Sequence, residues 1–263
     1  MYYKNLFTRF IFRKKFFKRA LMRLSIYKRR LFKNEFDDLR HLYNVLGYEP
    51  QIIIDGGANI GFVTHKFRIK FPKSKIVAFE PNPGVFEKLQ LAHKNDPLIT
   101  CVNKGLGSSE SMLTFYLNRN TGTSSFLRPT LFHQNNLSSK NITPTNIDVI
   151  NLEKYLKDKS IEKIDILKLD IEGFELEALK GILEINKRVD FIFSEVNLIP
   201  TYKDQPLIDE IISYLATKGF SIYNFYGINE NKDNQAIITN LLFMSNSIRE
   251  KLIQTESGQS FNI

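Results

Sequence analysis

Residues 52–61 read IIIDGGANIG, an apolar run that delivers Asp55 into a glycine-rich turn. Gly57 and Gly61 allow the backbone to approach a ligand closely. Asn59 stands at the position of a third glycine, and asparagine tolerates left-handed backbone better than most residues. The dinucleotide pattern G-x-G-x-x-G is not met. Counted from Gly56 its third position is Ala58, and counted from Gly57 it is Asn59. Asp55, placed before the glycines, would repel a pyrophosphate. It would attract a cationic ligand such as the sulfonium and ammonium of S-adenosylmethionine. Glu80 follows 25 residues after Asp55, at the end of the next apolar run. A carboxylate there accepts hydrogen bonds from both hydroxyls of a ribose. Taken singly, Asp55 reads equally as a helix N-cap and Glu80 as a surface acid beside Pro81-Asn82-Pro83. Together, at this spacing, they favour a nucleoside cofactor.

Two further acids close apolar runs: Asp170 after Ile164–Leu169, and Glu195 after Phe191–Phe193. Ligands of an open parallel sheet sit beyond the carboxyl ends of its strands, so these two acids are expected to flank a bound ligand. A buried carboxylate with a raised pKa can take the proton of a hydroxyl as its oxygen attacks a methyl group. Alternatively, Asp170 and Glu195 could hold a divalent metal that lowers the hydroxyl pKa; their strand positions resemble those of the metal-bearing acids of catechol-type O-methyltransferases. Glu172 reads either as a base or acceptor-orienting group, or as an anion stabilising the following helix by about 0.3–1 kcal/mol. Glu175 and Glu177 read as such helix-start anions. Lys168, inside a strand, is expected to pair with a nearby acid. His65 reads as a packing or surface residue. His41, His93 and His133 have no partner motif, and no Ser/His/Asp grouping offers covalent chemistry.

These residues need a frame. Short apolar runs at Ile52–Ile54, Ile76–Phe79, Ile99–Val102, Ile164–Leu169, Phe191–Phe193, Ser221–Asn224 and Ala236–Met244 alternate with helical patterns. Two of those patterns cover Val85–Lys94 and Pro206–Lys218, the latter stopped by Gly219. Continuous apolar strands between helices predict a parallel sheet buried on both faces. A looser stretch, Gly107–Pro144, is rich in Ser, Thr and Asn and is expected to shape the acceptor pocket. It should hold a short hairpin around Leu113–Tyr116. The tail from Ser257 reads as frayed.

The 263 residues carry a formal net charge of +9, but unevenly. Residues 1–33 hold 12 cations and no acid; the rest has 25 cations against 28 acids. Phe10, Phe17 and Leu24 recur every seven residues in this arm, with Phe7, Ile11 and Leu21 near the same helical face. The pattern predicts a basic amphipathic helix that faces an anionic membrane surface, or packs on the body with its cations solvated, with nucleic acid or another polyanion as the remaining partner. No apolar core of a secretory signal lies between the charges, and scarce serine argues against a transit peptide. No run reaches the roughly 18 apolar residues of a transmembrane helix. A single cysteine, Cys101, excludes an internal disulfide framework and fits a reducing compartment. The expected location is cytoplasmic, peripheral on the inner face of the membrane. Residues 1–33 are read as an arm and 34–263 as one catalytic domain.

Beyond the glycine turn, further segments carry a resemblance. They are VAFEPNP at Val77–Pro83, NKGLG at Asn103–Gly107, SSFL at Ser124–Leu127 and NLEKYL at Asn151–Leu156. DILKLDIEGFELEALKG at Asp165–Gly181 and FIFSEVN at Phe191–Asn197 complete the set. With these, residues from about Ile52 to Met244 resemble the FkbM family of S-adenosylmethionine-dependent methyltransferases. Asn151 and Glu153 stand where that family often has Thr and Asp. The resemblance implies an α/β, Rossmann-like sheet of seven strands, mostly parallel with one antiparallel strand, and methyl transfer to oxygen. On this reading Asp55, Gly57, Asn59, Gly61, Glu80 and Asn103 serve the cofactor. Asp170, Glu172 and Glu195 serve catalysis on a hydroxylated small molecule or glycan. An RNA or DNA methyltransferase is the alternative. Base-amino methylation often uses an Asn/Asp-Pro-Pro-aromatic turn, however, and this chain has Asp170-Ile171-Glu172-Gly173 there. A non-catalytic scaffold that binds cofactor is the third reading.

Overall fold

The computed structural model describes residues 34–136 and 142–258. The basic arm, read above as an amphipathic helix over residues 1–33, lies outside the described residues. The described chain opens with helix α1 (Glu35–Leu46). Asn34 caps it by accepting the Asp37 N–H at 2.9 Å, and Gly47 ends it at φ +76°. Its apolar face, Phe36, Leu39, Leu42 and Tyr43, is buried.

A seven-stranded sheet follows. Its strands are β1 (Ile52–Gly56), β2 (Lys75–Phe79), β3 (Ile99–Val102), β7 (Ile164–Leu169), β8 (Val189–Asn197), β9 (Phe220–Glu230) and β10 (Ala236–Ser245). Their order is β3-β2-β1-β7-β8-β10-β9. The pairs among β3, β2, β1, β7 and β8 are parallel, and β10 runs antiparallel to both its neighbours. Helices α2 (Phe62–Lys70), α3 (Pro83–His93), α5 (Leu152–Asp158) and α8 (Ile208–Thr217) are among the connections. Side chains alternate between two buried faces. Ile54, Val77, Leu167 and Ile192 enter one core, while Ile53, Ile76, Ile166 and Phe191 enter the other, against α1. This two-sided burial is why the strands read as unbroken apolar runs.

The register sets the site. Gly56 pairs with Phe79 on one side and Leu169 on the other; Phe79 pairs with Val102, and Leu169 with Ser194. The next residues therefore line up along the carboxyl edge as Asn103, Glu80, Gly57, Asp170 and Glu195. The chain order reverses between β1 and β7, and that reversal opens the crevice where such sheets bind ligands.

Four sequence expectations change. β8 does not stop at Glu195 but runs to Asn197, because β10 keeps pairing with it as far as Ile238–Asn197. β9 likewise extends past Asn224 to Glu230 along β10. The local hairpin at Leu113–Tyr116 is a long-range pairing instead. Strand β5 (Ser111–Leu117) runs antiparallel to β6 (Thr143–Asn151), which also pairs with β4 (Gly105–Gly107). The intervening residues include a 3-10 turn at Thr121–Thr123 and helix α4 (Leu131–Asn136). Helix α9 (Asn246–Gly258) includes Ser257, where fraying was expected. Among the described residues no helix is long and apolar enough to cross a membrane.

Candidate active site

The turn after β1 is held by contacts that only glycine permits. Gly57 has φ +74°, and a Cβ there would lie 1.9 Å from the Asp170 carbonyl oxygen. The end of β1 and the end of β7 can meet this closely only without a side chain. Gly61, at φ +93°, is the N-cap of α2, and a Cβ there would lie 2.5 Å from His93 Nε2. Its role is packing against α3, and it does not line the cavity. Asn59 has φ +49° and does line it.

Asp55 differs from the sequence reading in both respects. It is neither the cap of α2 nor a charge facing the cavity. It is fully buried beneath the turn, where the Thr64 hydroxyl donates to Oδ2 at 2.6 Å and Lys168 Nζ lies 3.1 Å from Oδ1. Its charge is thus already balanced by an ammonium and is not directed at a cationic ligand. Burial alone would lower the Lys168 pKa, but the charges of Asp55 and Asp170 outweigh that and raise it, so the ammonium persists.

Glu80 lines the cavity with 6% exposure. Its Oε2 accepts the Asn59 N–H at 2.9 Å, and Oε1 accepts the Asn82 N–H at 2.8 Å. Burial pushes its pKa up to about 7, against the lowering effect of these two bonds. Each oxygen keeps further acceptor capacity for a hydroxyl. Asn103 is adjacent, but its amide donates to the carbonyls of Glu80 at 2.8 Å and Pro81 at 3.1 Å. It braces the strand end and does not line the cavity.

Across the cavity stand Asp170, Glu172 and Glu195, each offering a carboxylate oxygen, all within 4.8 Å of one another. Burial, then the charge of Asp170, raises the pKa of both Glu172 and Glu195 well above the ordinary carboxylate value. Glu172 sits at φ +56°, an uncommon backbone for a non-glycine residue. Its turn is tied down by Glu175, whose Oε1 accepts the N–H groups of Ile171 and Gly173 at 2.9 and 3.2 Å. Glu175 is therefore more than a helix-start anion: it closes the turn, and burial lifts its pKa to about 7. Glu177, by contrast, is a surface acid paired with Lys180 at 2.7 Å. The oxygen-only donor set of the three cavity acids would suit a hard divalent cation, although the Lys168 ammonium stands 3.7 Å from Asp170 Oδ2.

Two participants carry no sequence signal. Tyr202, 1% exposed, donates its hydroxyl to Glu172 Oε2 at 2.8 Å, with the Thr123 carbonyl at 3.0 Å as the other acceptor within reach. His133 Nε2 lies 2.9 Å from the same phenol oxygen. Burial lowers the His133 pKa to about 4, which leaves a neutral ring able to donate to that oxygen. Ser125 donates its hydroxyl to the Glu172 carbonyl at 2.6 Å. The loop between β5 and β6 is thus fastened to the turn that carries Glu172. Neither Tyr202 nor His133 lies in a spaced motif, because loop packing alone brings them together.

The methyltransferase FkbM domain model matches residues 55–222. Methyltransferase 1 of Beauveria bassiana (strain ARSEF 2860) is 36% identical over 72 residues, covering 26% of this chain and 29% of that protein. Methyltransferase sdnD of Sordaria araneosa is 36% identical over 88 residues, covering 32% and 33%. The chain thus spans about a third of the length of these curated relatives. Among solved structures, M. capricolum TrmK in complex with S-adenosyl-homocysteine aligns with TM-score 0.44 and 12% identity, covering 78% of this chain and 68% of that one. Methanococcus jannaschii fibrillarin aligns with TM-score 0.44 and 14% identity, covering 75% and 67%. With the FkbM domain model covering residues 55–222, most of its length, the chain belongs to the FkbM methyltransferase family.

Proposed function

We propose that the chain methylates a hydroxyl of a small molecule or glycan. The observation that carries this reading is the group of three carboxylates facing the same cavity as Glu80 and the glycine turn. Gly57, Asn59 and Glu80 are the residues assigned to the cofactor; Asp55, Gly61 and Asn103 act behind them by holding the turn and the strand end. When bound, S-adenosylmethionine supplies an electrophilic methyl group on a sulfonium. The chain's own work is to orient the acceptor hydroxyl and take its proton. As the acceptor oxygen takes up that methyl group, a carboxylate of the group would receive the hydroxyl proton. Glu172 and Glu195 are suited to receive it, since burial and the neighbouring charge of Asp170 raise their proton affinity above that of an ordinary carboxylate. Asp170, level with Glu195 in the register, orients the acceptor or shares the base role. Clustered acids also disfavour a phosphate backbone, which argues against a nucleic-acid acceptor.

The same acids support a narrower variant in which Asp170 and Glu195 hold a divalent metal. The deciding experiment is a labelled-methyl transfer screen over surface glycans and lipid-linked sugars, run with and without chelator. Transfer to a hydroxyl supports the reading; full activity in chelator removes the metal while leaving the base. Transfer to RNA and to no hydroxylated metabolite would overturn the reading.

The proposal extends to the arm, residues 1–33, as an anchor separate from the catalytic domain at 34–263. Each Lys or Arg beside an anionic bilayer contributes about 1 kcal/mol, so half of the 12 cations would supply about 6 kcal/mol. Co-sedimentation with vesicles should require anionic lipid, weaken with salt and vanish on deletion of the arm. Full-length protein that ignores anionic vesicles would sink the anchor.

A further inference from the structure

Lys168 does not line the cavity, yet it touches both sides of it. It sits within β7 at 2% exposure, directly opposite Asp55 in the β1 register. Its Nζ donates to the carbonyl oxygens of Gly56 at 3.1 Å and Gly57 at 2.9 Å. The same nitrogen lies 3.1 Å from Asp55 Oδ1 and 3.7 Å from Asp170 Oδ2. A buried Lys–Asp pair adds little net stability over a well-packed apolar pair of similar volume, so ion pairing alone is a weak account of it. Geometry is a stronger one. Two donors of the ammonium reach two consecutive peptide carbonyls, while Asp55 Oδ1 stands at ion-pair distance and balances the charge. The Gly56 carbonyl also accepts the Asp170 N–H at 3.2 Å, so the glycine turn and the acid-bearing turn share one anchor.

We propose that Lys168 is a positioning residue that fixes the Gly56–Gly57 peptide for cofactor binding and ties that turn to Asp170 at the acceptor edge. The inference rests on the assignment of S-adenosylmethionine to this cavity. Thr64 already holds the other oxygen of Asp55, so the carboxylate can be neutralised without losing its place. That makes a clean test available.

The test is calorimetric titration of S-adenosylmethionine into the full chain, into Lys168→Met, and into the double variant Lys168→Met/Asp55→Asn, each with a thermal melt. The single variant leaves Asp55 buried and unpaired and should melt lower. The double variant removes the pair with no change in net charge and should recover much of that loss. Its affinity should nevertheless stay about 10- to 100-fold weaker than that of the unaltered chain, because the two carbonyls have lost their donor. A double variant that melts normally and binds with full affinity would overturn the proposal. If the double variant fails to fold, the unaltered chain still decides. With lysine labelled at Nζ, the buried ammonium should give a slowly exchanging NMR signal that shifts when S-adenosylhomocysteine saturates the site. A signal indifferent to saturation would overturn the proposal. Absence of binding by the unaltered chain would overturn the cofactor assignment and this inference with it.

Discussion

The two sides of the cavity treat buried charge in opposite ways. On the glycine-turn side, Asp55 is matched by Lys168 and Thr64, and Glu80 by two backbone N–H groups. On the far side, Asp170, Glu172 and Glu195 crowd one another with a single hydroxyl, that of Tyr202, held by Glu172 Oε2 and the Lys168 ammonium 3.7 Å from Asp170. The first arrangement gives each buried carboxylate its own donors and holds it in place. The second crowds carboxyls, and burial together with their mutual charge raises the pKa of Glu172 and Glu195. The proposed mechanism, binding with one wall and proton transfer at the other, uses this division.

The largest expected effect breaks the seam between the walls. Gly57→Ala would drive a methyl group against the Asp170 carbonyl oxygen, which the structure puts 1.9 Å away, at a φ that alanine disfavours. Unfolding in urea should show a loss of about 3 kcal/mol or more, and cofactor binding should fall with it. Next comes Asp170→Asn. Methyl transfer should drop at least about 10²-fold while S-adenosylmethionine affinity holds, which would separate the walls by kinetics. An equal loss in both would merge them.

A smaller effect follows from Tyr202→Phe. The ring stays packed, but Glu172 loses a charge-assisted hydrogen bond worth about 1.5–3 kcal/mol, so turnover should fall about 10-fold or more with cofactor affinity unchanged. His133→Gln should act in the same direction and more weakly, since it reaches Glu172 only through Tyr202.

The mildest prediction concerns pH. The Glu80 pKa rises from the ordinary 4.5 to about 7 on folding. The folded state then binds this proton more tightly than the unfolded chain. The resulting stability is fully present below 4.5 and is lost as pH rises through about 7. Cofactor binding runs the other way, because the ionised carboxylate is the better acceptor for hydroxyls. Affinity should increase from pH 6 to pH 8, and Glu80→Gln should flatten that dependence.

The walls also differ in how far the sequence exposes them. Asp55, Gly57, Asn59 and Glu80 lie within two strand-turn units, so spacing and residue type reveal a turn, a strand end and a carboxylate. The charge logic of Asp55 was misleading, since nothing in spacing says that β7 will bring Lys168 opposite it. On the other wall, the strand-end rule finds Asp170 and Glu195, although β8 continues two residues beyond Glu195. Tyr202 and His133 were illegible because they arrive on a loop and a short helix whose packing depends on the β5–β6 pairing. That pairing joins segments about thirty residues apart, and local turn residues point instead to a short hairpin.

The most direct test of the divided cavity needs no acceptor. S-adenosylmethionine is titrated calorimetrically into Glu80→Ala and Glu195→Gln side by side with the unaltered chain. The account predicts that Glu80→Ala weakens binding by about 10- to 100-fold, through loss of charged hydrogen bonds, while Glu195→Gln binds nearly as the unaltered chain does. Equal weakening in both variants, or full affinity in Glu80→Ala, would contradict it.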